Sequence, residues 1–317
     1  MLLLSDADVR DVLNVTDLVE AMEPALAAYS TGRAAQPQRV TLHFGSEYNW
    51  LGVMPASLDG ALGAKLVAVV PANEARGFGT HPATVVLLDA QTGRLRALLD
   101  ATSLTMLRTA AVSAVSVKHM ARVDAQKLAI LGSGAQARAH LTALRALRRW
   151  SDVRAWSPTR EHLDRLAAET GVSAASSARE CVDGADVILL ATSSGVPVVD
   201  GDWIAPGSHI VSIGAYQPSM REMDPALLAR ARLIVDSRAG ALTESGDVVQ
   251  GIREGWFNEA HIAGELGEVI AGATPGRTCA DQITVFKSLG MAVEDLAAAG
   301  LALCRAKELG RGTEIAL

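Results

Sequence analysis

The sequence predicts an α/β protein: a Rossmann domain with a doubly wound parallel sheet, and an α+β domain formed mainly by the first third of the chain. Three observations predict this fold. A glycine-rich turn at 132–137 joins a short apolar run to a helical pattern. Further strand-like segments alternate with helical ones after it, as in βαβ units. The first third instead mixes helical patterns with several strand-like runs and no regular alternation.

The first third is predicted to contain two helical stretches around a mostly antiparallel set of strands. Residues 5–30 carry apolar side chains at helical spacing, and Ser5 can cap the first turn. An alanine-rich helix is expected over residues 103–121. The strands between them are expected at 38–56, 61–71, 83–89 and 95–99, where valine and leucine are frequent.

From residue 126 onward the pattern is that of a parallel sheet. The predicted strands are 127–131, 153–156, 186–192, 209–213 and 233–236, with helices at 135–150 and 159–170 between the first of them. A strand at 283–288 and a helix at 289–309 follow. Ligands of such a sheet bind at the carboxyl ends of its strands.

The glycine-rich turn has the strand–turn–helix context of a dinucleotide site. It reads Gly132-Ser133-Gly134-Ala135-Gln136-Ala137, a GxGxxA pattern. The first glycine permits the tight turn, the second lets the backbone approach a pyrophosphate, and the small third residue allows helix–strand packing. The helix N-terminus adds free N–H groups and a positive dipole end. We therefore expect a nicotinamide dinucleotide here.

The loop after the second strand bears on the choice between NAD(H) and NADP(H). No acidic residue, which would hold the ribose hydroxyls of NAD, occurs at 155–157. Ser157, Thr159 and Arg160 offer hydroxyls and a cation that suit a 2′-phosphate. NADP(H) is therefore favoured and NAD(H) remains possible, since Arg160 can equally be a solvated helix residue.

Composition excludes several classes of function. The 317 residues include 49% hydrophobic and 20% charged residues, with a net charge of −6 and no basic stripe for nucleic acid. No apolar run approaches the roughly 20 residues that cross a bilayer, and the acidic start does not resemble a signal peptide. Cys181, Cys279 and Cys304 lack CxxC spacing, which favours a cytoplasmic protein. His119 and His140 form no HExxH pair, so no metal site is expected.

Several motifs resemble the ornithine cyclodeaminase/mu-crystallin family. They are the segments 63–65, 108–114, 130–137, 244–248, 265–270 and 284–295. The similarity covers almost the whole chain, and within the family it is greatest to the ketimine reductases. It implies a substrate-binding and dimerisation domain of residues 1–122 completed by 283–317, a Rossmann domain of residues 123–282, and a homodimer.

The resemblance also implies roles for individual residues. Lys65, Arg108 and Arg39 match positions that bind a substrate carboxylate, a task for which arginine is well suited. From the sequence alone, each cation can instead reach solvent or form an internal ion pair. The positions that match contacts to the cofactor or its nicotinamide pocket are Thr80, His81, Thr109, Thr192 and Ser288, although each can equally be an ordinary loop, strand-end or helix residue.

Two departures from the cyclodeaminase pattern favour reduction of an imine over ring closure. Cyclodeaminases carry a glutamate where this chain has Gly52, and an aspartate where it has Tyr216. We therefore expect an NAD(P)H-dependent reductase of cyclic 2-imino acids of the pyrroline- or piperideine-2-carboxylate type, with Lys65 or an ordered water as proton donor. The alternatives are an ornithine cyclodeaminase, an alanine-type amino-acid dehydrogenase, or a protein that binds NADPH and a small ligand without turnover.

Overall fold

The computed structural model describes residues 1–316, except for the side chain of Glu47. Leu317, the last residue of the expected first domain, lies outside the described residues. The elements are, in chain order, β1 (Leu2–Leu4), α1 (Asp6–Val12), α2 (Val15–Ser30), β2 (Val40–Phe44), β3 (Ser46–Leu58), β4 (Ala61–Val69), β5 (Ala83–Asp89), β6 (Leu95–Asp100), α3 (Thr102–Met120), β7 (Lys127–Leu131), α4 (Ala135–Leu147), β8 (Asp152–Trp156), α5 (Arg160–Thr170), β9 (Ser173–Ala174), α6 (Ala178–Val182), β10 (Val187–Leu190), β11 (His209–Ser212), α7 (Pro225–Arg230), β12 (Arg232–Val235), α8 (Arg238–Glu244), α9 (Gly246–Arg253), β13 (Ile262–Glu265), α10 (Leu266–Ile270), β14 (Thr284–Lys287), α11 (Ala292–Leu309) and β15 (Thr313–Glu314). Short 3-10 helices occupy Pro71–Arg76, Gly201–Trp203 and Glu259–His261.

The chain divides into two compact units. The first contains Met1–Ala111 and Met291–Leu317, and the second contains Val112–Gly290. The boundaries expected from the sequence, 122/123 and 282/283, differ from these. Residues 283–290 belong to the second unit because β14 pairs with β11 and β12 inside its sheet. The other boundary falls within the continuous helix α3.

The first unit is built on a seven-stranded sheet in the order β15-β1-β6-β5-β4-β3-β2. Strands β2 to β6 form the expected antiparallel meander, whereas β1 pairs with β6 in parallel. Helix α11 returns to this unit and packs on α2 and on β3 and β4. That return places the side chains of the first turn of α11 against the middle of the sheet.

The segment expected as one helix over residues 5–30 is two helices. Ser5 caps α1 as predicted, and its Oγ accepts a hydrogen bond of 3.2 Å from the Asp8 N–H. Leu13 is extended, and the Asn14 side chain then caps α2 by accepting from the Asp17 N–H at 2.9 Å. A side chain that competes for backbone N–H groups favours such a cap over a helix interior.

The second unit confirms the predicted Rossmann architecture. Its eight strands have the order β13-β12-β14-β11-β10-β7-β8-β9, and all of them pair in parallel. The chain crosses from β7 to β8 on one side and later to β10 on the other, which places the topological switch point between β7 and β10. Open α/β sheets bind their ligands at this point.

The core of the second unit consists of the apolar side chains of its strands and the helices that cover them. Leu131, Ile188 and Val235 are fully buried, each on a different strand. Strands with both faces covered are expected to be continuously apolar, as β10 is. Within residues 1–316, none of the helices combines the length and apolar character needed to cross a bilayer.

Candidate active site

The glycine turn lies at the switch point of the parallel sheet, directly after β7. Gly132 has φ of +123°, and a Cβ on it would lie 2.3 Å from the carbonyl oxygen of Ala191 at the end of β10. The Gly132 N–H also donates to the Trp156 carbonyl at the end of β8, at 2.9 Å. Ala137 is fully buried. Both the tight turn and the close packing therefore require the small residues that the sequence places there.

The start of α4 fits a dinucleotide pyrophosphate. Gly134 is its N-cap, and a Cβ there would meet no atom within 4 Å. The helix has 13 residues, so its first N–H groups and its dipole favour an anion. The turn is thus an open cradle at a helix N-terminus, where an anion is favoured.

The predicted ribose loop is adjacent to this cradle. The Ser133 hydroxyl donates to the Ser157 hydroxyl at 2.9 Å, which connects the glycine turn to the end of β8. Thr159 is the N-cap of α5, and its side chain makes no capping bond. Arg160 forms an i,i+4 ion pair of 2.8 Å with Asp164, and its side chain is 66% exposed. Its guanidinium therefore has a helix-surface partner in this structure.

Two further predicted residues lie at the carboxyl ends of β10 and β14, the two strands that flank β11. The Thr192 N–H and hydroxyl donate to Glu222 Oε1 at 2.9 and 2.8 Å, just after β10. The Ser288 hydroxyl donates to Asp236 at 3.1 Å, just after β14. Asp236 also accepts from the Gly290 N–H at 2.7 Å, which delays the start of α11 to Ala292, three residues later than predicted.

Sequence reasoning did not identify the buried carboxylate of Glu222, which organises this edge of the sheet. Its Oε2 accepts from the Ser212 hydroxyl and from the N–H groups of Gly214 and Ala215, at 3.0, 2.7 and 3.1 Å. Burial raises the pKa of the Glu222 carboxyl, while the Lys287 ammonium and the Thr192 hydrogen bonds oppose that rise.

Lys287 and Asp247 form a second layer of contacts around the Glu222 carboxylate. The Lys287 ammonium contacts Asp247 at 3.2 Å and donates to Ser212 at 3.0 Å, and both charged side chains are fully buried. Asp247 Oδ1 accepts from the backbone N–H of Glu222 at 2.9 Å. A lysine in the apolar strand β14 was the one sequence signal that pointed to this network, since a buried cation needs a partner.

In the first unit, two of the predicted carboxylate-binding cations meet on one acid. Lys65 on β4 and Arg108 on α3 are 3% and 4% exposed. Asp295 on α11 forms ion pairs with both: its Oδ2 lies 2.7 Å from Lys65 Nζ, and its Oδ1 lies 2.9 Å from Arg108 Nε. Glu294 Oε2 lies 2.6 Å from the same guanidinium. The internal ion pairs that the sequence left open are therefore present.

Burial and its neighbours set the charge of Lys65. Desolvation lowers the pKa of Lys65 to about 8, Asp295 counteracts this effect, and Arg108 and Arg39 lower the value further. Arg39, which is half-buried just before β2, is thus close enough to act on the same ammonium. The three predicted cations form one electrostatic group. A lysine with this pKa can hold or release a proton near neutral pH.

Glu294 and Asp295 are further site residues that pattern analysis did not single out. Adjacent acids in the first turn of a helix are ordinary, because the helix dipole favours them there. The only available signal was indirect: Lys65 and Arg108 occupy apolar segments and require acidic partners. Those partners lie more than 180 residues away in sequence.

The remaining predicted residues of the first unit are Thr80, His81 and Thr109. The Thr80 hydroxyl and His81 Nδ1 lie 2.8 Å apart in the loop before β5. Thr109, next to Arg108, donates its hydroxyl to the Thr105 carbonyl at 2.6 Å, as helical threonines often do. Among the described residues, no group of three His, Cys, Asp or Glu side chains is arranged to hold a metal ion.

The two departures from the cyclodeaminase pattern have different structural settings. A Cβ on Gly52 would lie 2.9 Å from the Trp50 ring and 3.2 Å from Val67, so these side chains occupy the space of a larger residue. Tyr216 follows the loop that Glu222 fixes, and burial raises the pKa of its hydroxyl. At neither position does the chain carry an acid.

Comparison with known proteins agrees with this arrangement. Residues 1–308 match the model of the ornithine cyclodeaminase/mu-crystallin family. Ketimine reductase mu-crystallin of Mus musculus is 40% identical over 306 residues, which cover 94% of this chain and 95% of that protein. The structure of Thermococcus litoralis Δ1-pyrroline-2-carboxylate reductase in complex with NADH and L-proline superposes with a TM-score of 0.94, at 34% identity and over 99% and 100% of the two chains.

A second solved structure is an archaeal alanine dehydrogenase dimer with bound NAD. It superposes with a TM-score of 0.95 at 32% identity, over 100% of this chain and 99% of that one. The family model matches most of the chain, and the identity to the mu-crystallin of Mus musculus extends over nearly the whole of both proteins. The chain therefore belongs to the ornithine cyclodeaminase/mu-crystallin family.

Proposed function

We propose that this protein is an NAD(P)H-dependent reductase of cyclic ketimines of the pyrroline- or piperideine-2-carboxylate type. The observation that carries the proposal is the buried pair Lys65 and Arg108 in the first unit, with Arg39 close enough to affect the charge of Lys65. Such a group suits a small anionic substrate that also exchanges a proton. The relatives named above include reductases of the same substrate class.

In the proposed reaction the substrate carboxylate binds Arg108 and Arg39, whose planar guanidinium groups suit bidentate contact. The reduced dinucleotide, when bound, supplies a hydride to the imine carbon. The π electrons of the C=N bond then move to nitrogen, which takes a proton from the Lys65 ammonium. Binding through the carboxylate fixes the imine carbon in a reactive orientation, which supplies much of the rate.

The lack of two acids favours this reaction over cyclisation of ornithine. Deamination and ring closure need groups that move protons at more than one stage. The space beside Gly52 is filled by Trp50 and Val67, and Tyr216 stands where cyclodeaminases carry an aspartate. Transfer of one hydride and one proton needs only the cations described above.

We propose a preference for NADP(H), with NAD(H) as the weaker cofactor. Ser157 contacts the glycine turn, Thr159 follows it as the N-cap of α5, and no acid at the end of β8 would repel a 2′-phosphate. Against this preference, Arg160 is engaged by Asp164, and the solved relatives contain NADH or NAD. Comparison of kcat/KM for NADPH and NADH with one imine substrate decides between the two cofactors.

We further propose that the protein acts as a homodimer in the cytoplasm. Strand β2 is the edge of its sheet, and Val40, Leu42 and Phe44 on it are 63%, 61% and 42% exposed. An apolar edge strand of this kind calls for a partner. Leu42→Lys should therefore halve the mass measured by sedimentation. The free Cys279 and Cys304 fit a reducing compartment.

The experiment that tests the reaction is a substrate panel with purified protein. Δ1-Pyrroline-2-carboxylate and Δ1-piperideine-2-carboxylate are supplied with NADPH or NADH, and L-ornithine or L-alanine with the oxidised cofactors. Consumption of reduced cofactor with the cyclic imines supports the proposal. Proline from ornithine would favour a cyclodeaminase, pyruvate from alanine a dehydrogenase, and tight cofactor binding without any turnover a binding protein.

A further inference from the structure

Asp295 stands out among the buried acids because its two oxygens contact Lys65, the proposed proton donor, and Arg108, a proposed carboxylate-binding residue. Oδ1 lies 2.9 Å from Arg108 Nε and Oδ2 lies 2.7 Å from Lys65 Nζ, and the side chain is fully buried. One carboxylate thus sets the separation between a guanidinium on α3 and an ammonium on β4. Because both cations contact Asp295, neither can shift without lengthening its own contact with that carboxylate.

The neighbouring acid Glu294 has a different setting. Its Oε2 meets Arg108, and it also accepts from the N–H of Met291, which caps the first turn of α11. Glu294 is therefore partly a helix-capping residue. Asp295, on the same turn and equally buried, directs its carboxylate to the two cations instead.

The charges around Lys65 come from two helices and one loop. Asp295 and Glu294 lie on α11, Arg108 on α3, and Arg39 before β2. The cross-strand partners of Lys65, Met54 on β3 and Val85 on β5, carry no charge. Desolvation and the two arginines favour the neutral amine, so Asp295 is the group that most strongly favours the ammonium.

We propose that Asp295 is a positioning residue: it fixes the spacing of Lys65 and Arg108 and keeps Lys65 protonated for the substrate. The proposal rests on the reductase function proposed above for these two cations. Asp295 itself touches neither the reacting carbon nor the cofactor in this scheme. It acts through Lys65, and its effect is measurable in how the protein responds to pH.

The test compares wild type with Asp295→Asn, which keeps the shape and removes the charge. The first measurement is kcat/KM for Δ1-piperideine-2-carboxylate against pH. The second is the affinity of pyrrole-2-carboxylate, an unreactive planar carboxylate, for the NADPH-saturated protein against pH. We expect both to fall above about pH 8 in wild type. In Asp295→Asn the fall should occur roughly one to three pH units lower, the size of shift that a nearby opposite charge produces.

Two further variants separate positioning from general stability. Glu294→Gln removes an equally buried acid from the same helix turn, and its pH shift should be clearly smaller than that of Asp295→Asn. Asp295→Glu keeps the charge, so its kcat/KM should fall at the same pH as that of wild type. Its kcat should fall on the order of tenfold or more, because the longer side chain displaces both cations. Asp295→Glu also serves if Asp295→Asn does not fold.

The inference is overturned if a folded Asp295→Asn loses kcat/KM and affinity at the same pH as wild type. It is also overturned if Asp295→Glu has the kcat of wild type. The binding measurement distinguishes a failure of this inference from a failure of the reductase proposal. If wild type turns over no imine while pyrrole-2-carboxylate binding shows the predicted shift, Asp295 has the proposed role and the reaction is another one. If wild type does not bind pyrrole-2-carboxylate at all, the inference is wrong.

Discussion

Replacing Gly134 by alanine should weaken dinucleotide binding without unfolding the protein. The residue has φ −82° and ψ −167°, which alanine adopts readily, and no atom lies within 4 Å of the new Cβ. Alanine is a poorer N-cap than glycine, but it restricts the unfolded chain more. Because these effects oppose each other, the unfolding free energy should change by no more than about 1 kcal/mol.

The cofactor should be affected much more strongly. The added methyl occupies the space through which a pyrophosphate approaches the start of α4, and overpacking of this kind costs about 1.5–3 kcal/mol. The Kd for NADPH and NADH should therefore rise roughly ten- to a hundredfold. Fluorescence titration measures the Kd, and thermal denaturation without cofactor measures the stability. A wild-type Kd in the folded Gly134→Ala variant would refute the assignment of this turn.

Two other glycines provide matched controls. Gly132→Ala forces a side chain onto a φ of +123° and against the Ala191 carbonyl, so it should destabilise the second unit by about 2–6 kcal/mol. Gly300→Ala lies within α11, where no atom is within 4 Å of the new Cβ. It should leave the Kd unchanged and stabilise the helix by up to about 1 kcal/mol.

Three more predictions follow from the charges and hydrogen bonds. Because the pKa of Lys65 is about 8, kcat/KM should fall above that pH, where the ammonium loses its proton. Lys65→Met should abolish this fall in the pH profile and lower kcat roughly a hundredfold or more. Glu222→Ala leaves three backbone N–H groups without their acceptor, so thermal denaturation should show a loss of about 3–5 kcal/mol; wild-type stability would contradict the network's role. Ser157→Asp should shift the ratio of kcat/KM toward NADH at least about tenfold, since a carboxylate binds ribose hydroxyls and repels a 2′-phosphate; an unchanged ratio would place the ribose elsewhere.

Local patterns were sufficient to predict the elements whose signals are local. The strand at Lys127–Leu131, its glycine turn and the helix that follows begin where the sequence indicates, because turn geometry and helix–strand packing act within about ten residues. The helix ends three residues before Trp150, at Leu147, which apolar spacing alone does not mark. The break at Leu13 was missed for the same reason, although Asn14 is a capping residue.

Long-range pairing explains what the sequence could not reveal. The partner of Lys65 is an acid 230 residues later, and nothing near either residue encodes their contact. The family resemblance places residues 283–317 in the first domain, whereas the hydrogen bonds of the strand Thr284–Lys287 lie in the parallel sheet. Glu222 lies in a segment without regular structure, and its role depends on two strand ends, those of β10 and β11, that the fold brings together.

The most direct test of the proposed reaction follows the hydride itself. Wild-type protein is incubated with Δ1-pyrroline-2-carboxylate and NADPH or NADH carrying deuterium in the transferable position, and the product is analysed by mass spectrometry and NMR. The reductase proposal predicts proline with one deuterium on the carbon that bears the carboxylate, formed in equal amount to the oxidised cofactor. Proline without deuterium, or no proline from a protein that binds the cofactor, would contradict it.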